Sequence, residues 1–303
     1  MNKKTIYILF VLTLVFCSIF SCYKFLSTKN TTVKIFMTFY KPFQLPPKGS
    51  ILTPIQVGRA SESEIFLGGG KLSRDDIDWL HDNMIGDNIG DNISDKNRMF
   101  DVLTAYYYVW KHYKEIGNPS YIGFMAHRKI LITNPNKYRT FNRSAPNYGY
   151  SEEKLLPLLK KHRVITSHTY SYDVIDDAII YQSVFEHYIT HHKIDDIEEM
   201  IRIIKLKYPE MIDTMNDVLY SPHNKYAVWN FWIMEKELAF DYFEKLFTIA
   251  FEIEKTRGKK IAQYDVTQKR AIGYLAERFY AIWLEYKMRT EKILPLFVVT
   301  QYL

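Results

Sequence analysis

The chain is poor in cysteine, glycine, proline and net acidity. Cysteine occupies only two of 303 positions, too few for a disulfide framework or a Cys-based zinc site. Both, Cys17 and Cys22, fall inside one N-terminal apolar run, so the remainder carries no thiol and is silent on redox compartment. The scarcity of glycine (12) and proline (11) excludes a collagen-like chain. With 47% hydrophobic and 24% charged residues the balance is globular rather than disordered. The sequence holds no GxGxxG, Walker A, HExxH or GxSxG. That disfavours dinucleotide enzymes, P-loop NTPases and the familiar hydrolases. What is abundant is aromatic: 24 tyrosines and 19 phenylalanines. The formal charge of +6 admits nucleic acid, a membrane surface or an anionic small molecule, and decides among them only with a site in hand.

Residues 5–22 are an uncharged run of 18 residues, just long enough to cross a bilayer core. Three readings compete: a cleaved signal peptide, a lipoprotein-type cysteine at Cys22, and an uncleaved signal anchor. Ser18 and Ser21 are the only small residues suited to a cut, and Phe20 sits badly between them. The anchor fits the span and its flanks best. Lys3 and Lys4 lie close before it, with Lys24 and Lys29 after, which favours N-in, C-out. The expected partition is a tail (1–4), a transmembrane span (5–22), a stem (23–32) and one catalytic-sized domain (33–303). Asn30, Asn92 and Asn142 open glycosylation sequons.

Within the domain, 33–39 (VKIFMTF) reads as a buried strand, followed by a loop at Tyr40-Lys41-Pro42. Residues 55–58 read as a short strand, 68–70 (Gly-Gly-Gly) as a turn, and 94–114 as a helix with Ser94 of N-cap type. The apolar run 121–125 is expected as a central strand closed by His127-Arg128-Lys129. Helices are expected at 151–161, 181–191, 194–207, 237–256 and 273–286, and a strand at 227–234. Strands alternating with helices in the first half predict an α/β sheet covered by helices.

Four clusters could carry chemistry. The tandem IGDN-IGDN leads into a helix N-terminus, where backbone N–H groups can meet an anion and Asp or Asn can hold a sugar hydroxyl; the plainer alternative is a capped turn. Arg128 and Lys129 stand at a strand end, where ligands of open α/β sheets collect and two cations suit a diphosphate; the alternative is a solvated strand end. His187 and His191 share a helical face, but the HExxH spacing is absent, so a substrate-lining His192 or a plain surface histidine is preferred to zinc. Arg270, Gly273, Glu277 and Arg278 open the last helix. A glutamate beside arginines serves as a base or as a buried ion pair.

Taken together these residues resemble a bacterial family of glycosyltransferases of uncharacterised-domain type. Such proteins come from capsule, exopolysaccharide and O-antigen loci and are grouped with the GT-A fold. The resemblance rests on Pro54-Ile55-Gln56-Val57-Gly58 and on Gly90 to Asn97 (GDNISDKN). It continues through Leu103-Thr104-Ala105 with Tyr107, Trp110 and Lys111, then Tyr121-Ile122-Gly123 with Arg128 and Lys129. Tyr188, His192, Asp195 and Asp196 follow, then Asn230, Ile233 and Met234, and finally Arg270, Gly273, Glu277 and Arg278. The matches run in order from about 33 to 286. Where the family reads His-Tyr-Arg-Arg, this chain has Ala126-His127-Arg128-Lys129. The anchor is an addition to the family's usual soluble form.

The resemblance implies a GT-A-like, Rossmann-like domain with a mixed sheet flanked by helices, behind one transmembrane helix. It implies sugar transfer from a nucleotide-sugar donor, a UDP-sugar first, to a hydroxyl of a glycan acceptor, and not nucleic-acid binding. Donor contacts fall to Tyr40, Lys41, Gly58, Asp91, Asn92, Ser94, Lys96, Asn97, His127, Arg128 and Lys129. His192, Asp195, Asn230, Arg270 and Gly273 would line the acceptor side, and Glu277 would be the base of an inverting reaction. GT-A enzymes often hold a divalent metal on an Asp-x-Asp at this strand end; basic residues stand there instead. Mn2+, Mg2+ and metal independence therefore all remain open. A type II protein of the Golgi or ER lumen is expected, with a bacterial inner membrane as the other setting. The rivals are a non-catalytic glycan- or nucleotide-sugar-binding protein on the same fold and a phosphate-binding hydrolase.

Overall fold

The computed structural model describes residues 33–63, 70–133, 150–167, 169–171, 183–222, 225–227 and 229–302. The expected span (5–22) and stem (23–32), Gly68 and Gly69 of the glycine turn, the sequons at Asn30 and Asn142, and the first residues of the helix expected from 181 lie outside them. Among the described residues no helix is long and apolar enough to cross a membrane.

Two parallel strands, β1 (Val33–Phe39) and β4 (Tyr121–Ala126), form the centre, with Val33 beside Tyr121 and Thr38 beside Ala126. Only Lys34 of β1 is partly exposed. A strand covered on both faces has to be apolar nearly throughout. β2 (Leu52–Gln56) lies parallel on the outer side of β1, and the two-residue β3 (Ile85–Gly86) makes the edge. Pro54 is tolerated inside β2 for a geometric reason. Ile35 N–H bonds Ile51 O and Val57 N–H bonds Phe39 O, so odd-numbered β2 residues turn their N–H groups towards β1. The N–H that Pro54 lacks would face outward, where β3 pairs only from Ile55 onward. The expected strand at 55–58 is thus shifted to 52–56, because Gly58 takes φ 65° and turns the chain away.

The order β3-β2-β1-β4 reverses the direction of winding between β1 and β4, which opens a crevice at their carboxyl ends. On its other edge β4 forks. Residues 121–124 pair antiparallel with β9 (Trp232–Glu235), while Ala126 pairs with Lys129, the first residue of β5 (Lys129–Ile132). His127 and Arg128 are therefore a two-residue hairpin turn, and Lys129 belongs to a strand rather than to a closing loop. From β5 the ladder passes to β10 (Leu296–Tyr302), then β6 (Val164–Ser167), and returns to β9. β7 (Thr169–Ser171) and β8 (Lys225–Ala227) pair separately. The strand expected at 227–234 is split between β8 and β9, with Asn230 in the gap.

Helices cover both faces. α1 (Arg74–Asn83) and α4 (Glu152–His162) pack with Ile35, Met37 and Met125 on one side. On the other lie α2 (Asn97–Phe100), α3 (Leu103–Lys111), α5 (Val184–His191), α6 (Ile194–Lys207), α7 (Ile212–Tyr220), α8 (Lys236–Ile261) and α9 (Ala271–Thr290), around Phe36 and Phe124. α6 has its expected bounds. Ile197, Met200, Ile201 and Ile204 recur three or four apart and are buried, each contributing on the order of 2 kcal/mol.

The helix expected over 94–114 is broken. A 3-10 turn (Ser94–Lys96) leads into α2, and Asp101 interrupts the path with φ 52° and ψ −132° before α3 begins. α9 begins at Ala271, so Glu277 stands about two turns into it.

Candidate active site

At the carboxyl ends of β1 and β4 lies a cavity of about 440 Å³. Thr38 and Tyr40 follow from β1, Val57 from β2, and Ala126, His127, Arg128 and Lys129 from the β4–β5 hairpin. Trp229, Asn230 and Phe231 reach it from the chain entering β9, where the fork of β4 leaves room. Asp101 closes one wall from the α2–α3 break. Gly273, Tyr274, Glu277 and Arg278 face it from α9, with Arg270 just ahead and His187 and His192 from α5 and its end.

The hairpin turn is both cationic and aromatic. The Arg128 guanidinium lies 5.7 Å from the Tyr40 ring centre, and Lys129 Nζ lies 4.4 Å from that of Trp229. His127 beneath them is 2% exposed, enclosed by Phe39, Tyr40 and Phe43. Its Nδ1 lies 3.1 Å from Thr38 O, an acceptor only, so Nδ1 carries the proton and donates. Burial pushes its pKa down to about 4, with Arg128 and Lys41 adding to the effect. His127 is thus neutral, and its acceptor Nε2 has no partner among the described residues.

Asn230 forms the floor. Its Oδ1 accepts from Trp232 Nε1 at 3.0 Å and from the Tyr242 hydroxyl at 3.1 Å, and its carbonyl accepts from the Tyr106 hydroxyl. The side-chain orientation is thereby fixed: Nδ2, buried and without a described partner, is the remaining donor.

Glu277 projects from α9. One oxygen accepts from Arg278 Nη1 at 2.8 Å; the other makes no hydrogen bond to a described residue. Burial raises its pKa above the ordinary carboxylate value, and Asp101 adds to this, against the pull of Arg278, Arg270 and Lys129. Arg278 is itself held by the Tyr274 carbonyl at 3.1 Å and His187 Nδ1 at 3.2 Å. Burial, then the Arg278 charge, lowers the pKa of His187 to about 3 and of His192 to about 4. His192 stacks on Tyr274 with ring centres 4.1 Å apart and donates to Gln268. Arg270 pairs with the Asp101 carboxylate. Burial alone would lower the Arg270 pKa, but Asp101 holds it above its ordinary value.

Of the residues singled out in the sequence, Tyr40, His127, Arg128, Lys129, His192, Asn230, Arg270, Gly273 and Glu277 are gathered on this cavity. Asn97 lines a smaller one of about 50 Å³ beside it, with Tyr40, Asp101 and Arg270. It also packs on Gly58, where a Cβ would come within 2.5 Å of its side chain. Lys41 lies beside Tyr40. Asp91, Asn92, Ser94, Lys96 and Asp195 do not line the cavity. Asp91 accepts from the Tyr107 hydroxyl, Asn92 bonds Gly90 O and Ser94 N–H, and Lys96 pairs with Glu254 at 2.7 Å. Asp195 pairs with Arg257.

The tandem loop is organised from within. Asp87, fully buried, accepts from Gly58 N–H at 2.7 Å, Arg59 N–H at 3.1 Å and the Ser94 hydroxyl. At the start of the following helix the Ser94 N–H donates to Asn92 Oδ1, the Lys96 N–H to Ile93 O and the Asn97 N–H to Ser94 O, so these donors are satisfied within the protein. Among the described residues no three His, Cys, Asp or Glu converge to hold a metal. The cavity carboxylates Asp101 and Glu277 are each engaged by an arginine, whereas a hard divalent cation needs several unshared oxygen ligands. Asp101 itself was not foreseen: nothing in the local sequence marks a helix break there, and its partner Arg270 lies 169 residues away.

The comparisons with known proteins agree with this architecture. A family described as "Domain of unknown function (DUF4422)" matches residues 34–288, and the chain belongs to it. An apo structure of WbbM, a bifunctional glycosyltransferase, aligns with a TM-score of 0.70 at 24% identity, over 90% of this chain and 45% of that one. The likeness establishes a shared fold, a mixed sheet flanked by helices, and the chain spans less than half of WbbM's length. No curated protein matches the chain.

Proposed function

We propose that the protein transfers a sugar from a nucleotide-sugar donor, a UDP-sugar first, to a hydroxyl of a glycan acceptor. The observation that carries this reading is the pairing, on one cavity, of a cationic hairpin at the sheet's switch point with a partly buried carboxylate of raised pKa. The fold shared with WbbM supports it.

In this reading the diphosphate lies against Arg128 and Lys129. As the bond from the sugar's anomeric carbon to the diphosphate oxygen breaks, negative charge gathers on the leaving group. Fixed cations stabilise that charge most where it is developing. Glu277 accepts the acceptor hydroxyl's proton while that oxygen bonds the anomeric carbon from the opposite face, which inverts the configuration. Its raised pKa makes it a stronger base than an ordinary carboxylate. No step is routed through a metal.

The test incubates the purified protein with a panel of nucleotide sugars, with and without EDTA, and measures nucleotide release and transfer. Turnover is expected with at least one donor and is expected to survive EDTA. Donor binding without any turnover would favour a binding protein. Glu277→Gln should lower transfer by about 100- to 10,000-fold with nucleotide binding retained; an active variant would remove Glu277 from the role.

A further inference from the structure

From the α2–α3 break we infer a specificity-determining residue: Asp101, held by Arg270, reads adjacent hydroxyls of the sugar that is transferred. The inference rests on the glycosyltransferase reading above.

Three observations carry it. First, Asp101 has φ 52° and ψ −132°, a region that side-chain-bearing residues avoid and that persists only where surroundings impose it. Second, the surroundings do impose it. The Asp101 N–H donates to Asn97 O at 2.7 Å, while its carbonyl accepts from Asn97 Nδ2 at 2.8 Å and from the Thr104 hydroxyl at 3.2 Å. On α9 the chain comes so close that a Cβ on Gly273 would stand 2.9 Å from the Asp101 Cβ. Third, what the conformation delivers is a carboxylate on the cavity wall, still 25% exposed, with one oxygen taken by Arg270. Asp101 borders both the large cavity and the small one beside it.

A carboxylate beside a guanidinium offers acceptors and donors side by side. Neighbouring sugar hydroxyls, each both donor and acceptor, complement that array. A diphosphate does not, because the carboxylate repels it. The pair and the cationic hairpin line the same cavity, so a sugar whose diphosphate meets the hairpin can present its hydroxyls to the pair. Glu277 is paired differently: its arginine is its own chain neighbour, and its second oxygen makes no hydrogen bond to a described residue. The two carboxylates therefore divide the work, Glu277 on the proton and Asp101 on the hydroxyls.

The experiment crosses an enzyme change with a substrate change. Wild type, Asp101→Asn and Asp101→Gly are assayed for kcat/KM with UDP-glucose and UDP-galactose, whichever turns over, and with the 2-, 3-, 4- and 6-deoxy forms of that donor. Asparagine keeps the shape, and glycine accepts the positive φ without strain. Thermal unfolding confirms that each variant is folded, and glycine stands in if asparagine fails. Removing the hydroxyl that Asp101 reads should cost wild type on the order of 10- to 100-fold and cost the variants less than about threefold, because the partner is already gone. UDP binding should be unchanged in all three proteins. If every deoxy donor loses the same factor in wild type and variants, Asp101 does not read hydroxyls. If wild type turns over neither donor nor any other nucleotide sugar, the glycosyltransferase reading falls, and this inference with it.

Discussion

Two helical glycines should respond to the same substitution with opposite signs. Gly258 lies in α8, and a Cβ there would meet Glu254 Cγ at 3.5 Å, an ordinary contact. Gly258→Ala should therefore collect the helix-propensity gain of about 1 kcal/mol. Gly273 is the third residue of α9, where that gain is at most about 1 kcal/mol. A Cβ there would stand 2.9 Å from the Asp101 Cβ and 3.6 Å from its Oδ2, well inside the roughly 3.5–4.0 Å of comfortable carbon contact. Asp101 cannot retreat: Asn97 and Thr104 hold its carbonyl and Arg270 its carboxylate. Overpacking of this kind costs about 1–3 kcal/mol. The net effect of Gly273→Ala is a loss of up to about 2 kcal/mol. Urea unfolding of the two variants beside wild type reads both signs in one experiment. A gain of about 1 kcal/mol in Gly273→Ala, equal to that in Gly258→Ala, would refute the close approach and the reason given for glycine at 273.

Two further outcomes are expected. Asp87→Asn places an amide where a buried carboxylate collects two backbone N–H groups and the Ser94 hydroxyl; a loss of about 2–4 kcal/mol in chemical unfolding is expected, and a change under 0.5 kcal/mol would contradict that role. His127 stays neutral in the fold down to about pH 4, against an ordinary value of 6.5. Because the folded value is depressed, its contribution is complete above the unfolded pKa and is lost as pH falls towards 4, on the order of 3 kcal/mol. His127→Gln should lose less stability than wild type between pH 7 and roughly 4.5; parallel curves would show that His127 titrates normally.

Much of the scaffold was legible because local pattern and burial agree. The run 33–39 is β1 without adjustment, since a fully covered strand leaves no doubt about its period. α6 is equally plain from its apolar stripe. Other elements needed partners that local pattern does not name. β6 is four residues long and lies between β10 and β9, so nothing nearby announces it. The start of α1 is marked only by a local polar pair, Ser73 and Asp76, which form a capping box. For the site, strand-end chemistry and the α9 motif identify most of the cavity wall. The tandem GDN loop misdirects, because its polar groups serve a carboxylate bonded to residues 28 and 29 positions earlier. Asp101 stayed hidden for the same kind of reason: the break at 101 exists only once Gly273 and Arg270 arrive from far along the chain.

The triple grip on Asn230 has a consequence for how this cavity can diversify. Tyr106, Trp232 and Tyr242 come from α3, β9 and α8 and all donate to that one residue. Replacing the Asn230 side chain alone leaves two buried donors, Trp232 Nε1 and the Tyr242 hydroxyl, without their acceptor; replacing either donor alone loosens a floor still gripped by the other and by Tyr106 on the backbone carbonyl. Changes at these four positions will therefore be strongly non-additive. A lineage remodelling the floor would have to cross a valley of poorly folded single variants. New substrate preferences in such a protein should accordingly arise at the rim, with the aromatic floor passed on as a block.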